Sequence, residues 1–148
     1  MSHFKGADVP EEFLKLIQQH LGYSDQEMGR FKDNPNLVKM AMFFASPEVR
    51  SKTLVFEVVK SHGCSEGMKV GDKLYFKGCG LLDVQRSSPW CAFALSHIST
   101  FAYTAQNLIL QGVDPNKVYS AYSSCLDCGS EFGVGQVAIK AYIIEDNQ

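Results

Sequence analysis

"TLVFEVVKS", residues 53–61, decides how the chain is read. Its residues are β-branched or aromatic and roughly alternate with polar ones, which is the pattern of a strand with one face on a core. "DKLYFKG" at 72–78 repeats the pattern, so two strands flank the glycine-rich loop "HGCSEGMKVGD". Later, "KVYSAYSS" (117–124) and "GQVAIKAYIIE" (135–145) alternate in the same way. Between the pairs, "SPWCAFALSHISTFAYTAQNLILQG" reads as one long helix over 88–112. Ser88 is its expected cap, Pro89 its first residue and Gly112 its stop.

Upstream the texture is helical. "VPEEFLKLIQQH" (9–20) has Pro10 in its first turn, acids at its positive end, and Phe13, Leu14, Ile17 and Leu21 on one face. Gly22 is placed to end it. Ser24 and Glu27 have capping-box spacing for a second helix, and "NLVKMAMFFA" gives a third, bounded by Pro35 and Pro47. The expected class is α+β. A helical arm over 1–50 precedes a β-β-α-β-β module over 51–148, with one long helix packed on an antiparallel sheet.

Hydrophobic residues make up 45% of the 148-residue chain, enough for a core without covalent staples. A net charge of −2 argues against a nucleic-acid partner, which calls for strongly basic surfaces. No apolar run is long enough for a membrane span, and the N-terminus lacks the basic and apolar regions of a signal peptide. A cytoplasmic location is therefore expected, and in a reducing compartment five cysteines point to thiols or metal ligands.

"SSCLDCGS" (123–130) holds Cys125 and Cys128 in a CxxC turn, where two thiolates can converge on one metal and Gly129 relieves the backbone. Cys64 lies in the glycine-rich loop between the first two strands. Cys91 falls in the expected first turn of the long helix, where the macrodipole favours thiolate. The favoured ligand set is Cys64, Cys91, Cys125 and Cys128, with Cys79 as a substitute or neighbour. All-sulfur ligation suits an iron–sulfur cluster or zinc. Single cysteines scattered among glycines lean towards the cluster, because zinc knuckles usually come in pairs.

A thioredoxin-like dithiol fits poorly, since the CxxC leads into a strand and not a helix. His62 is read as a surface residue or as a partner of Cys64. His97 is expected to be partly buried, and Asp127 to cap its own turn. Trp90 is placed to shield a cluster. Phe43, Phe44, Phe76, Phe93, Phe101 and Tyr103 are expected mostly in cores.

Residues 53–144 also resemble a family of small, largely uncharacterised prokaryotic proteins, often found in anaerobes. The likeness rests on "VVKSHGCSEGMKVGD", "SPWCAFAL", "LILQG" and "SCLDCG". It implies Cys64, Cys91 and Cys125 as a functional trio, with Gly71 and Asp72 forming a turn. Cys79 and Cys128 depart from the family pattern, as does Met68, where the family tends to have histidine.

Three roles are compatible with these features. The first is an iron–sulfur accessory or electron-transfer subunit, docked on a protein partner or a second copy through the helical arm. The second is an enzyme using an open metal position or a reactive Cys91 or Cys64. The third is a zinc-stabilised structural or regulatory domain.

Overall fold

The computed structural model describes residues 9–118 and 121–146. The chain divides into two compact units, residues 1–46 and 47–148. The class is α+β.

The first unit contains α1 (Glu11–Leu21), α2 (Asp25–Lys32) and α3 (Pro35–Ala45). Gly22 ends α1 in the left-handed conformation at φ 69°. Ser24 and Glu27 form the reciprocal capping box of α2, and the Asn34 side chain caps α3 with Pro35 in its first turn. Met28, Phe31 and Val38 make the buried cluster, with Leu14 and Ile17 packed against it. Leu21, expected on the same face, is 46% exposed. It is the last residue of α1, one turn beyond Ile17, where the helix has run past the cluster.

The second unit opens with a single turn, α4 (Pro47–Arg50), and then forms an antiparallel five-stranded sheet. Its strands are β1 (Lys52–His62), β2 (Lys73–Lys77), β3 (Leu81–Leu82), β4 (Tyr122–Ser124) and β5 (Gln136–Glu145), ordered β3-β2-β1-β5-β4. Central β1 pairs with β2 on one side and β5 on the other. Leu54, Phe56 and Val58 of β1 lie opposite Ile143, Ala141 and Ile139 of β5, so one face of the sheet is continuously apolar. Helix α5 (Ile98–Leu110) packs there, with Phe101 edge-on to Phe56 and with Ala105 and Ile109 buried. Burying a side chain like Phe56 stabilises the unit by roughly 2–3 kcal/mol.

The register of β1 and β5 shifts between Val58 and Lys60. This bulge uses Val59 as the extra residue of the "VV" step and reverses which side chains face the core beyond it. It sits just before the loop that carries Cys64.

Three expectations are corrected here. The helix expected over 88–112 begins only at Ile98. Ser88 exchanges hydrogen bonds with Lys73, its N–H to the carbonyl and its Oγ accepting from the Lys73 amide, and Ser87 Oγ accepts from the Tyr75 amide, so these two residues lie along β2. A separate 3₁₀ turn, Ala92–Ala94, follows. The strand expected over 117–124 is limited among the described residues to Tyr122–Ser124, because Pro115–Lys117 form a 3₁₀ turn capped by Asp114; residues 119 and 120 lie outside the described residues. Third, Phe44, Phe93 and Tyr103 are exposed, not buried. Tyr103 falls on the α5 face turned away from the sheet, between Phe101 and Ala105.

Among the described residues no helix is long and apolar enough to cross a membrane.

Candidate thiol site

Three segments distant in sequence meet at the end of the sheet where β1 finishes and β5 begins. Cys64 follows β1, Cys125 follows β4, and Cys91 precedes the 3₁₀ turn. All three line one small cavity of about 20 Å³, together with Glu66, Met68, Phe93 and Asp127. That volume holds about one water-sized sphere.

Two glycines set the approach. Gly63 and Gly135 face each other so closely that a Cβ on Gly135 would stand 2.3 Å from the Gly63 carbonyl. A Cβ on Gly63 would stand 2.7 Å from the Val134 carbonyl oxygen. This backbone contact carries the Cys64 loop onto the start of β5. Across the cavity, the Cys125 amide donates to the Val137 carbonyl, and the Val137 amide donates back to Cys125 Sγ at 3.3 Å. An N–H aimed at sulfur strengthens as the sulfur takes on negative charge.

Asp127 holds the CxxC turn, as expected. Its carboxylate accepts from the Gly129, Val134 and Gly135 amides at 3.1–3.2 Å, with the closest oxygen taken for Val134. These bonds, Gly135 foremost, hold its carboxyl below the ordinary carboxylate range. Its lone pairs are engaged by the turn. Glu66, by contrast, is exposed, and among the described residues its carboxylate accepts from the Ser65 hydroxyl at 3.5 Å.

The remaining expected residues are spread out. Cys128 is exposed, does not line the cavity, and has its Sγ 3.8 Å from the Leu126 carbonyl oxygen. Cys91 lies ahead of a three-residue 3₁₀ turn in extended conformation, so the helix dipole proposed for its activation is absent. His62 is exposed at the end of β1, and His97, expected to be partly buried, is exposed at the start of α5. Trp90 lines the neighbouring cavity and not the thiol cavity. Gly71, at φ 95°, and Asp72 do form a turn: the Asp72 carboxylate accepts from the Lys69 amide at 2.7 Å.

Cys79 is fully buried in a turn at the far end of β1, with φ 59°. The Gly78 amide beside it bonds to Lys52, ten residues from His62, which puts roughly 30 Å of strand between Cys79 and the cavity. Burial pushes its thiol up to about 11, and Glu145 adds to the rise against Lys52. It is an inert core thiol outside the site. Cys79→Ser should cost about 1–2 kcal/mol, because a buried hydroxyl needs a partner that sulfur does not. Urea unfolding measures that loss; an unchanged midpoint would show that the hydroxyl finds one.

Sequence reasoning missed Glu66 and the Gly63–Gly135 contact. The only local signal for either was the glycine content of two loops. Among the described residues, no three Cys, His, Asp or Glu side chains are grouped tightly enough to hold a metal ion at once. The three thiols share the lining of one cavity.

No family model matches the chain, and no curated protein or solved structure matches it.

Proposed function

We propose that the chain is a small thiolate metal protein whose ligands are Cys64, Cys91 and Cys125. One observation carries this reading: three thiols from three separate segments line one ion-sized cavity, with an N–H donated to one sulfur. The family likeness implied the same trio. Soft sulfur ligands select zinc or iron, and a cavity of this size suits a single ion. An iron–sulfur cluster is the second reading. The N–H···S bond and the glycine-rich loops favour it, but its inorganic sulfide requires the Cys64 and Cys125 loops to separate. With iron the protein acts as an accessory or electron-transfer subunit in the cytoplasm, with the helical unit as its docking segment; with zinc, which undergoes no redox change, it acts as a structural or regulatory domain.

Metal and acid-labile sulfide analysis after purification without oxygen tests this. About one zinc or iron per chain, without sulfide, is expected. Ser in place of Cys64, Cys91 or Cys125 should each remove the metal, whereas Cys128→Ser and Cys79→Ser should retain it. Iron with matching sulfide would establish the cluster. Metal content that survives all three trio substitutions would sink the assignment.

A further inference from the structure

Cys64 and Cys125 are both placed by backbone contacts at the start of β5. Gly63 meets Gly135 backbone to backbone, which sets Cys64 at that corner. Cys125 follows the Ser124–Ala138 pair and stands opposite Val137, donating its amide to the Val137 carbonyl and taking the Val137 N–H on its sulfur. The two cysteines are thus registered on positions 135 and 137 of one segment, and both line the small cavity there. Cys91 is tied to the Cys125 turn less directly, by the 3.3 Å bond from the Leu126 amide to the Phe93 carbonyl, two residues on. It also lines the neighbouring larger cavity. Cys128 is exposed outside the thiol cavity, and Cys79 is buried away from it.

We infer that Cys64 and Cys125 form a reversible disulfide, with a hydroperoxide as the oxidant. A space of about 20 Å³, about one water-sized sphere, suits an oxidant of two oxygen atoms better than any bulkier one. The Val137 N–H stabilises negative charge on the Cys125 sulfur, so Cys125 reacts first. Its sulfur bonds to one peroxide oxygen, the O–O bond breaks, and the other oxygen leaves as hydroxide. Cys64 then attacks the sulfenic acid on Cys125: the S–S bond forms, the S–O bond breaks, and a second hydroxide leaves. The two thiol protons end on the two hydroxides. Two thiols are oxidised to one disulfide, and one hydrogen peroxide is reduced to two waters. Neither step needs a metal, and a small thiol reverses the product by exchange. In a reducing compartment, disulfides of this transient kind register an oxidant and do not staple the fold.

The reduced full chain carrying Cys128→Ser, kept in a chelator, provides the test. Removing one of the five cysteines leaves four, and hydrogen peroxide should lower the free thiols from four to two. Trypsin places Cys64 on residues 61–69, Cys91 on 87–117 and Cys125 on 118–140, so mass spectrometry of the digest reads the pairing. A link between 61–69 and 118–140 that dithiothreitol breaks is expected. Adding Cys91→Ser should keep that link. Adding Cys64→Ser should abolish it and leave a sulfenic acid on 118–140 that dimedone traps. Peroxide applied to the urea-unfolded chain should scatter the links among the four thiols. A link through Cys91, a thiol count that stays at four, or the same pairing preference in urea overturns the inference. The metal content of the trio variants decides the metal reading separately, so neither failure implies the other.

Discussion

Gly135→Ala is expected to destabilise the second unit by about 3 kcal/mol and to part Cys64 from Cys125. The added Cβ would lie 2.3 Å from both C and O of Gly63 and 2.5 Å from the His62 carbonyl oxygen. All of these are backbone atoms, so no side chain can swing aside. The ends of β1 and β5 must separate, and the His62–Gln136 pairing is the first to go. Gly63→Ala strikes the same contact from the other strand and adds the strain of a left-handed residue, its φ being 66°. The double variant should cost less than the sum, because strands parted for one methyl group already have room for the second. Urea unfolding of the three variants measures the coupling, and labelling of Cys64 and Cys125 reports the opened cavity. A Gly135→Ala protein as stable as its parent, with both thiols labelled at the parent's rate, would mean that this contact does not set the cavity.

How much of this was legible in the sequence follows the range of the forces involved. The strands showed themselves because alternation in "TLVFEVV" and "QVAIKAYII" is a local record of which face meets the core. The capping box of α2 is likewise complete within four residues. The start of the long helix was not legible. Ser88 followed by Pro89 carries the same local signal whether it caps a helix or, as here, bonds to Lys73 fifteen residues away. β3 has two residues, too few for any period to register. In the CxxC turn, spacing alone suggested two converging thiols. What divides them is Asp127, whose bonds to amides as far as Gly135 leave Cys125 at the cavity and Cys128 in solvent. The trio itself depends on β1 neighbouring β5, a long-range fact that no window of sequence contains.

Asp127→Asn is expected to lower the melting temperature by several degrees at neutral pH and to loosen the turn that presents Cys125. The amide keeps the shape of the carboxylate but loses its charge, and it turns an N–H₂ towards backbone donors that need an acceptor. The Gly135, Gly129 and Val134 amides would compete for one oxygen. No side chain on Gly133 can fill the gap, since the carboxylate occupies the place its Cβ would take: Asp127 Oδ1 lies 2.0 Å from that position. The pH dependence separates charge from shape. The folded pKa of Asp127 is held below its ordinary value, so the stability it contributes is fully present above the unfolded value of about 4. It is lost as pH falls through the lowered folded value. The gap between parent and variant should therefore be constant from neutrality down to about pH 5 and shrink below about pH 4. Melting curves across that range decide it. A gap that persists undiminished into strong acid would show that the packing of the side chain, and not its charge, holds the Cys125 turn.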